Sequence, residues 1–177
     1  PELDKTVETK GSINADVSRT LQVLLHDPEL ISKPRKKWLK EIAENRQVTL
    51  DSVKDELAAG VGAEGKLLMK TIISRLSEIT EGKDIVVPDV GQHQMMSARY
   101  YNFQTNNSWF TSGGAGTMGC SLPMAIGAKL ARPDERDWSV SGDGGFQLHI
   151  QEPGTLMEEG TGGKIMILEN GYPRMGR

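Results

Sequence analysis

The segment Gly142-Asp143-Gly144-Gly145 places a carboxylate among glycines, directly after a short apolar stretch that predicts a strand. The glycines let the backbone approach an anion closely, and a helix predicted to begin near Gln147 would direct its N-terminus towards negative charge. A carboxylate tolerates a neighbouring phosphate when a cation lies between them, and Mg²⁺ is typically held by protein and phosphate oxygens together. The segment therefore indicates a phosphate and metal site, although alone it is equally typical of an Asp that caps a helix.

Asn170 favours the metal interpretation because of its spacing from Asp143. It follows Asp143 by 27 residues and comes just after the next predicted strand, so its amide oxygen is expected at the same edge of the sheet. The backbone carbonyl of Tyr172 could add a third oxygen ligand. Asn-Gly alone is more typical of a turn, and it is the pairing with Asp143 that predicts a metal centre.

A third polar segment, Gly91-Gln92-His93, follows another predicted strand and offers backbone N–H groups and two polar side chains. If the strands are parallel, this segment belongs at the same edge of the sheet as Asp143 and Asn170. The other histidines, His26 and His149, are interpreted as hydrogen-bonded structural residues, because that is the more frequent role of a lone histidine.

Gly114, Gly116 and Gly119 have the G-x-G-x-x-G spacing of dinucleotide-binding loops. The stretch before them is only a weak strand, and Asp134, at about the right distance for a ribose-binding acid, precedes the next strand instead of ending it. The spacing is therefore interpreted as fortuitous, and the glycines as a loop that leads into a helix. Met118 projects from this loop, where a methionine usually fills a core.

Apolar spacing predicts the elements that position these segments. Short apolar runs predict strands at 85–87, 138–140 and 165–168, and helical spacing predicts helices near 15–25, after Pro34, through Leu68, Ile72, Leu76 and Ile79, near 117–131 and near 147–159. Strands that alternate with helices predict an α/β fold, a doubly wound parallel sheet with helices on both faces, preceded by a helical connector. A change of composition near 58–65 separates 1–65 from a main domain at 66–177.

Composition excludes several classes of function. The net charge of −3, without a basic run, argues against a nucleic-acid partner, and no apolar run reaches the ~18–20 residues of a membrane span. Cys120 is the only cysteine, which favours a reducing compartment, and the N-terminus does not resemble a signal peptide. We therefore expect a cytoplasmic protein, most simply a bacterial one.

Together these segments resemble the thiamin-diphosphate-dependent enzymes, and among them the acetolactate synthase (acetohydroxyacid synthase) large subunit. The resemblance rests on Gly-Asp-Gly followed after just under thirty residues by Asn, and on DVGQHQM (89–95), SGGAGTMGCSLPMAIGAKLA (112–131), SGDGGFQLHIQE (141–152) and KIMILENGYPRMGR (164–177). It is strong over 66–177. More weakly, TKGSINADVSRTLQVLL resembles the end of the family's central domain, with 26–65 as the connector.

The resemblance implies a role for each candidate residue. Asp143 and Asn170 would bind Mg²⁺ through their side chains and Tyr172 through its carbonyl. Gly116 would offer its carbonyl to the aminopyrimidine of thiamin diphosphate, and Met118 would hold the cofactor in its bent conformation. The diphosphate would be lined by Gly91, Gln92, His93, Gly142, Gly144 and Gly145.

The implied reaction is the decarboxylation of pyruvate and the condensation of its two-carbon unit with a second 2-oxo acid, as in branched-chain amino acid biosynthesis. The family's activating glutamate lies on a separate domain, so no catalytic residue is expected in this sequence and the isolated chain is expected to be inactive. FAD is possible in the full-length enzyme. The partner expected is a second copy in a homodimer or homotetramer, with Met118, Leu122 and Met124 at the interface, and a regulatory subunit is a further candidate partner.

Departures from the family pattern leave alternatives open. The sequence stops at Arg177, before the family's lid, Pro153 replaces a common Leu, and Glu169 replaces a common Asn. Another thiamin-diphosphate-dependent 2-oxo-acid decarboxylase, oxidase or carboligase fits the same motifs. A non-catalytic module is a further alternative, although a scaffold has no need of Asp143 and Asn170 together.

Overall fold

The computed structural model describes residues 4–27, 35–62 and 65–169. The chain divides into two compact units, Pro1–Asp51 and Ser52–Arg177. Among the helices in these described ranges, none combines the length and apolar character that a bilayer crossing requires.

Two helices precede the main domain, as the sequence predicts. Helix α1 spans Val17–His26 and helix α2 spans Lys36–Ala59, which extends well beyond the stretch after Pro34 that suggested it. Asp16 begins α1 as its N-cap, because its carboxylate accepts the Arg19 N–H at 3.0 Å. None of the described residues of Pro1–Asp51 is buried.

The second unit is built on a parallel sheet of three strands in the order β1-β2-β3. The strands are β1 (Ile85–Pro88), β2 (Asp137–Ser141) and β3 (Lys164–Ile167), and all three confirm predicted strands. Trp109 adds a parallel bridge to Val86 at the other side of β1, so the weak strand signal before the glycine loop also has a structural basis.

Helices cover both faces of the sheet. Every residue of β1 is therefore buried, which explains why this strand is a continuous apolar run. On one face Val86 and Val140 pack with Ile73 and Leu76 of helix α3 (Met69–Ile79). On the other face Ile85 and Val87 pack with Ala125 of helix α5 (Ser121–Ala131). The predicted α/β class with helices on both faces is confirmed.

The helices of the second unit differ from the predictions in three places. Residues 92–100, which follow the polar segment after β1, form helix α4 (Gln92–Tyr100), where only a turn was expected. Helix α5 begins at Ser121, because 117–120 remain part of the glycine loop. The single helix predicted near 147–159 is two helices, α6 (Asp143–Leu148) and α7 (Glu152–Glu158). Pro153 lies in the first turn of α7, where backbone N–H groups have no intrahelical acceptor. The N–H that proline lacks therefore costs the helix no hydrogen bond.

Of the three apolar residues expected at an interface, Leu122 lies within the core instead, and Met124 is half-buried. Leu122 is buried against Ile126 and Leu156, and Met124 packs against the cluster of Ile85 and Val87. The burial of Leu122 stabilises this domain and leaves that side chain unavailable to a partner.

Asp84 fixes the amino end of β1 through a buried carboxylate. Its Oδ1 accepts a hydrogen bond from Arg136 Nε at 2.9 Å, and its Oδ2 accepts one from Trp138 Nε1 at 2.9 Å. Arg136 Nη2 lies 2.8 Å from the same Oδ1, so the guanidinium pairs with the carboxylate through two nitrogens. The carboxylate thus joins β1 to the beginning of β2.

We expect Asp84→Ala to lower the free energy of unfolding by about 2 kcal/mol, because it leaves the Trp138 indole N–H without its acceptor and the guanidinium without its partner. Urea unfolding of Asp84→Ala and the parent chain measures this. Glu78→Ala is the control, since the ion pair of Glu78 with Arg75 is exposed and contributes little. Equal effects of the two substitutions would contradict the assignment.

Asp137 is the second buried carboxylate at this edge. It is 2% exposed, and its Oδ1 lies 3.8 Å from Lys129 Nζ, beyond hydrogen-bonding distance. Burial raises the pKa of the Asp137 carboxyl above its ordinary value, and the charges of Lys129 and Lys164 only partly oppose this. The charged form is therefore less favourable in the folded chain than in the unfolded one.

This shift predicts a pH dependence of stability. A raised folded-state pKa gives a stabilising contribution that is complete below the unfolded pKa and is lost as the pH rises through the folded value. Relative to Asp137→Asn, the parent chain should therefore gain free energy of unfolding as the pH falls from about 7 to about 4. Urea unfolding of both chains across this range measures the difference, and a difference independent of pH would refute the prediction.

Candidate cofactor site

The carboxyl edge of the sheet brings the predicted polar segments together. A Cβ placed on Gly142 would lie 3.2 Å from Cε1 of His93, and one placed on Gly144 would lie 2.9 Å from Cε of Met118. The segment after β1, the segment after β2 and the glycine loop therefore converge, with glycine where a side chain would close the space. Asn170 and Tyr172 lie outside the described residues.

His93 lies in the first turn of α4 and is 5% exposed. Its Nε2 is buried and has no hydrogen-bond partner within the described ranges. Burial lowers the pKa of the His93 imidazole, and the charges of Asp89 and Asp143 oppose this lowering. A neutral imidazole with an unpaired nitrogen at this edge can make a hydrogen bond to a polar ligand.

Two helix N-termini face the same region without a side-chain cap. Helix α4 follows Gly91, and α6 follows Gly142, and neither preceding residue caps its helix through a side chain. In α6 the first N–H used within the helix is that of Phe146, which donates to the Gly142 carbonyl at 3.0 Å. The N–H groups of Gly144 and Gly145 come before it in the first turn, where no intrahelical acceptor exists. Since α6 begins at Asp143, four residues earlier than expected, these N–H groups belong to the helix itself.

Asp143 is the only acidic residue in the first turn of α6 and is partly exposed. In the described part of the chain, no group of three or more His, Cys, Asp or Glu side chains could hold a metal ion. Asp143 is therefore the partly exposed carboxylate at this edge that a cation could use as a charged protein ligand. That arrangement suits a metal whose remaining ligands are neutral protein oxygens and phosphate oxygens.

The glycine loop closes the site from the side of α5. Gly116 has φ +63° and nothing within 4 Å of a Cβ built on it, so its backbone is open to a ligand. Met118 is 45% exposed, which excludes the core-filling role that is usual for a methionine in such a position. Its side chain instead covers Gly144. Ser112 holds the loop by accepting the Thr117 N–H at 3.0 Å.

Asp89, which the sequence analysis missed, is a fully buried residue directly after β1. Both of its carboxylate oxygens accept the Gly119 N–H, at 2.8 Å and 2.9 Å, and Oδ1 also accepts the Val90 N–H at 2.8 Å. A Cβ on Gly145 would overlap its Oδ2. The sequence does contain a signal, a carboxylate between an apolar strand and a glycine. The prediction instead used the neighbouring polar residues Gln92 and His93.

The other two histidines differ from each other. His26 is hydrogen-bonded as predicted, with its Nδ1 at 2.7 Å from the Gln22 carbonyl. His149 packs against Gly119, and its Nδ1 is buried without a hydrogen-bond partner in the described structure.

The residues present fit a diphosphate with a divalent cation. Glycines keep the space open, first-turn N–H groups and an unpaired imidazole nitrogen supply polar contacts, and Asp143 supplies a charge for the cation. An exposed methionine and an exposed glycine adjoin this space, which suits the attachment of a larger, partly apolar group. The fit rests on Gly142, His93 and Met118, which the structure brings into one place.

Comparisons with known proteins agree with this geometry. Residues 89–177 match the family model described as thiamine pyrophosphate enzyme, C-terminal TPP binding domain. The chain is 38% identical over 169 residues to acetolactate synthase 2, chloroplastic, of Nicotiana tabacum, a match that covers 96% of this chain and 25% of that protein. It is 35% identical over 172 residues to the acetolactate synthase large subunit of Lactococcus lactis, covering 96% of this chain and 28% of that protein.

A solved structure shares the fold. The thiamine diphosphate-dependent 4-hydroxybenzoylformate decarboxylase of Rhodococcus jostii matches with a TM-score of 0.56 at 24% identity, over 63% of this chain and 20% of that one. At this identity the likeness concerns the fold alone. The chain spans about a quarter of the length of the two relatives named above.

The contact between Gly145 and Asp89 gives a test of this geometry. Gly145→Ala should lower the free energy of unfolding by about 1–3 kcal/mol, because the new methyl group overlaps the buried carboxylate. Gly154→Ala is the matched control, since Gly154 is also in a helix but has nothing within 4 Å of its Cβ position. This control should be neutral or stabilise the chain by up to about 1 kcal/mol. Urea unfolding of both variants measures the difference, and similar effects would contradict the described packing.

Proposed function

Because the chain belongs to the thiamine pyrophosphate enzyme family and contains its C-terminal TPP-binding domain, we propose that it is the cofactor-binding part of an acetolactate synthase-like carboligase. In this reaction pyruvate loses CO₂ and its two-carbon unit is joined to a second 2-oxo acid. The observation that carries the proposal is the convergence of Gly142–Gly145, His93 and Met118 at one edge of the sheet. The names of the relatives support the choice of reaction.

The phosphate end of thiamin diphosphate would be held between the two uncapped helix N-termini. We assign Gly144 and Gly145 as N–H donors and place the segment Gly91-Gln92-His93 on the opposite side of the diphosphate. The neutral His93 imidazole contributes Nε2 as a hydrogen-bonding group, which removes the cost of leaving that nitrogen buried and unpaired. Gly142 keeps the approach open.

The cation that accompanies the diphosphate is Mg²⁺ in this proposal. Asp143 supplies the charged oxygen, while the Asn170 side chain and the Tyr172 carbonyl supply neutral ones. Neutral oxygens suit this position because the diphosphate already brings negative charge to the ion. The side chain of Asp143 is thus the link between the ion and the first turn of α6.

The ring end of the cofactor would lie against the glycine loop. Gly116 offers its carbonyl to the amino group of the pyrimidine, and Met118 supports the bent conformation from beside Gly144. When bound, thiamin diphosphate supplies the electron sink that allows a 2-oxo acid to lose CO₂. The chain's own contribution is to bind and orient the cofactor at two ends.

The remaining parts of the reaction are assigned to the three-quarters of a full-length enzyme that this chain does not cover. These parts include the activating glutamate and any FAD, so we propose that the isolated chain binds the cofactor without turnover. We also propose that 1–65 is the end of a central domain with its connector, and that 66–177 is the cofactor domain. The complete enzyme would be a cytoplasmic homodimer or homotetramer, with or without a regulatory subunit.

The test of the proposal is the dependence of cofactor binding on Mg²⁺. Asp143→Ala should abolish the Mg²⁺-dependent part of thiamin diphosphate binding, because it removes the charged ligand of the ion. Its free energy of unfolding should stay within about 0.5 kcal/mol of the parent, since Asp143 is partly exposed. Asn170→Ala should weaken binding less, because water can replace a neutral oxygen.

Calorimetric titration with thiamin diphosphate, with and without Mg²⁺, measures these effects. Asp134→Ala is the control, because Asp134 is an exposed carboxylate in the loop before β2 and should leave binding unchanged. Parent-like binding by Asp143→Ala would make Asp143 a turn residue. If neither the parent chain nor the variants bound the cofactor, the proposed function would be rejected.

A further inference from the structure

The carboxylate of Asp89 contacts both segments that the proposed function assigns to the two ends of the cofactor. Through the Gly119 N–H, bonded to both oxygens, it holds the end of the loop that carries Gly116 and Met118. Through its Oδ2 it packs against Gly145, in the turn assigned to the diphosphate. One side chain therefore lies between the loop of residues 112–119, the ring-binding loop, and the turn of residues 142–145, the phosphate-binding turn.

The ring-binding loop, residues 112–119, is held to the sheet at its two ends. Before it, the Thr111 hydroxyl donates to the Pro88 carbonyl at 2.9 Å and accepts from Gln94 Nε2 at 2.8 Å. After it, Asp89 accepts the Gly119 N–H. Between these points Gly113 and Gly114 have nothing within 4 Å of a Cβ position, so the loop has open space around it. The Asp89 contact is therefore an anchor of the Met118 end of the loop.

The charge of Asp89 has no evident structural benefit. The residue is 0% exposed, and within the described residues no Lys or Arg forms an ion pair with it. The donors to its carboxylate are two backbone N–H groups and, at 3.7 Å, the Cys120 thiol, whose pKa is raised by burial and further by the Asp89 charge. A buried carboxylate without a cation is costly, and a neutral residue of similar size would be cheaper for folding alone.

We propose that Asp89 is a positioning residue that sets the distance between the ring-binding loop and the phosphate-binding turn. Both carboxylate oxygens of Asp89 must act as acceptors, because they share the Gly119 N–H. Gly145 is needed on the other side, because a side chain there would push the carboxylate away. The inference rests on the proposed function, and it goes further by naming the group that holds the two halves of the site in register.

The experiment compares two probes that use different amounts of the site. Inorganic pyrophosphate with Mg²⁺ uses the phosphate-binding turn alone, whereas thiamin diphosphate with Mg²⁺ uses the turn and the loop. Calorimetric titration of the full chain gives the ratio of the two dissociation constants. The variants are Asp89→Asn, which places an amide N–H₂ against the Gly119 N–H, and Asp89→Ser, which removes the buried charge and shortens the side chain.

In both Asp89 variants we expect the preference for thiamin diphosphate over pyrophosphate to fall about tenfold, while pyrophosphate affinity changes less than about twofold. Asp84→Asn is the matched control. It changes a buried aspartate at the opposite end of the same strand, so it should reduce stability without changing the ratio. A positioning role alters the ratio, whereas a loss of folding lowers both affinities together.

Several results would overturn the proposal. They are an unchanged ratio in folded Asp89 variants, a parallel loss of both affinities, or a parent chain that binds the two probes equally. Failure of both Asp89 variants to fold, with Asp84→Asn folded in urea titrations, would make Asp89 a structural residue. A parent chain that binds neither probe would instead reject the proposed function on which this inference rests.

Discussion

Parallel pairing of β1 with β2 is the constraint on which the rest of the second unit depends. The backbone N–H of Asp89 donates to the Val140 carbonyl at 2.8 Å, which continues the ladder past the end of β1 and sets the two strand ends side by side. The Leu168 N–H extends the β2–β3 ladder in the same way, by donating to the Ser141 carbonyl at 2.8 Å. Everything that follows these strands in the sequence must therefore begin at one edge of the sheet.

That shared edge also explains why glycine is needed there. Three chain segments approach one another within the width of two strands, and the space between Gly142 and His93 admits no additional side chain without displacement. At Gly145 the neighbour is the buried carboxylate of Asp89, so a side chain there is excluded by steric overlap. The same glycines lie in the first turn of α6, where N–H groups have no intrahelical acceptor and a helix start favours anions. In the proposed function, packing and binding would therefore depend on the same glycines.

The sequence predicts the strands well because each is a short apolar run bounded by polar or glycine residues. It predicts His93, Met118 and Gly142 as site residues, and the structure brings these together. It does not predict α4, because the polar Gln92 and His93 at its start resemble a turn and its apolar face is weak. Asp89 was missed for a related reason, since its partners are backbone N–H groups up to 30 residues away, and no side-chain pattern reports such contacts.

The buried aspartates show how the two edges of the sheet differ. At the amino edge, Asp84 and Asp137 lie near the cationic side chains of Arg136 and Lys129, so their charges are at least partly compensated within the fold. At the carboxyl edge, Asp89 is buried as deeply but is satisfied by neutral donors, and Asp143 is partly exposed. The paired charge of Asp84 stabilises the sheet at the amino edge, whereas the carboxylates of the other edge have no cationic partner within the described residues and would favour a cation. In the proposed function a diphosphate would therefore bind at this edge together with a cation, and the distribution of carboxylates would couple anion binding to metal binding.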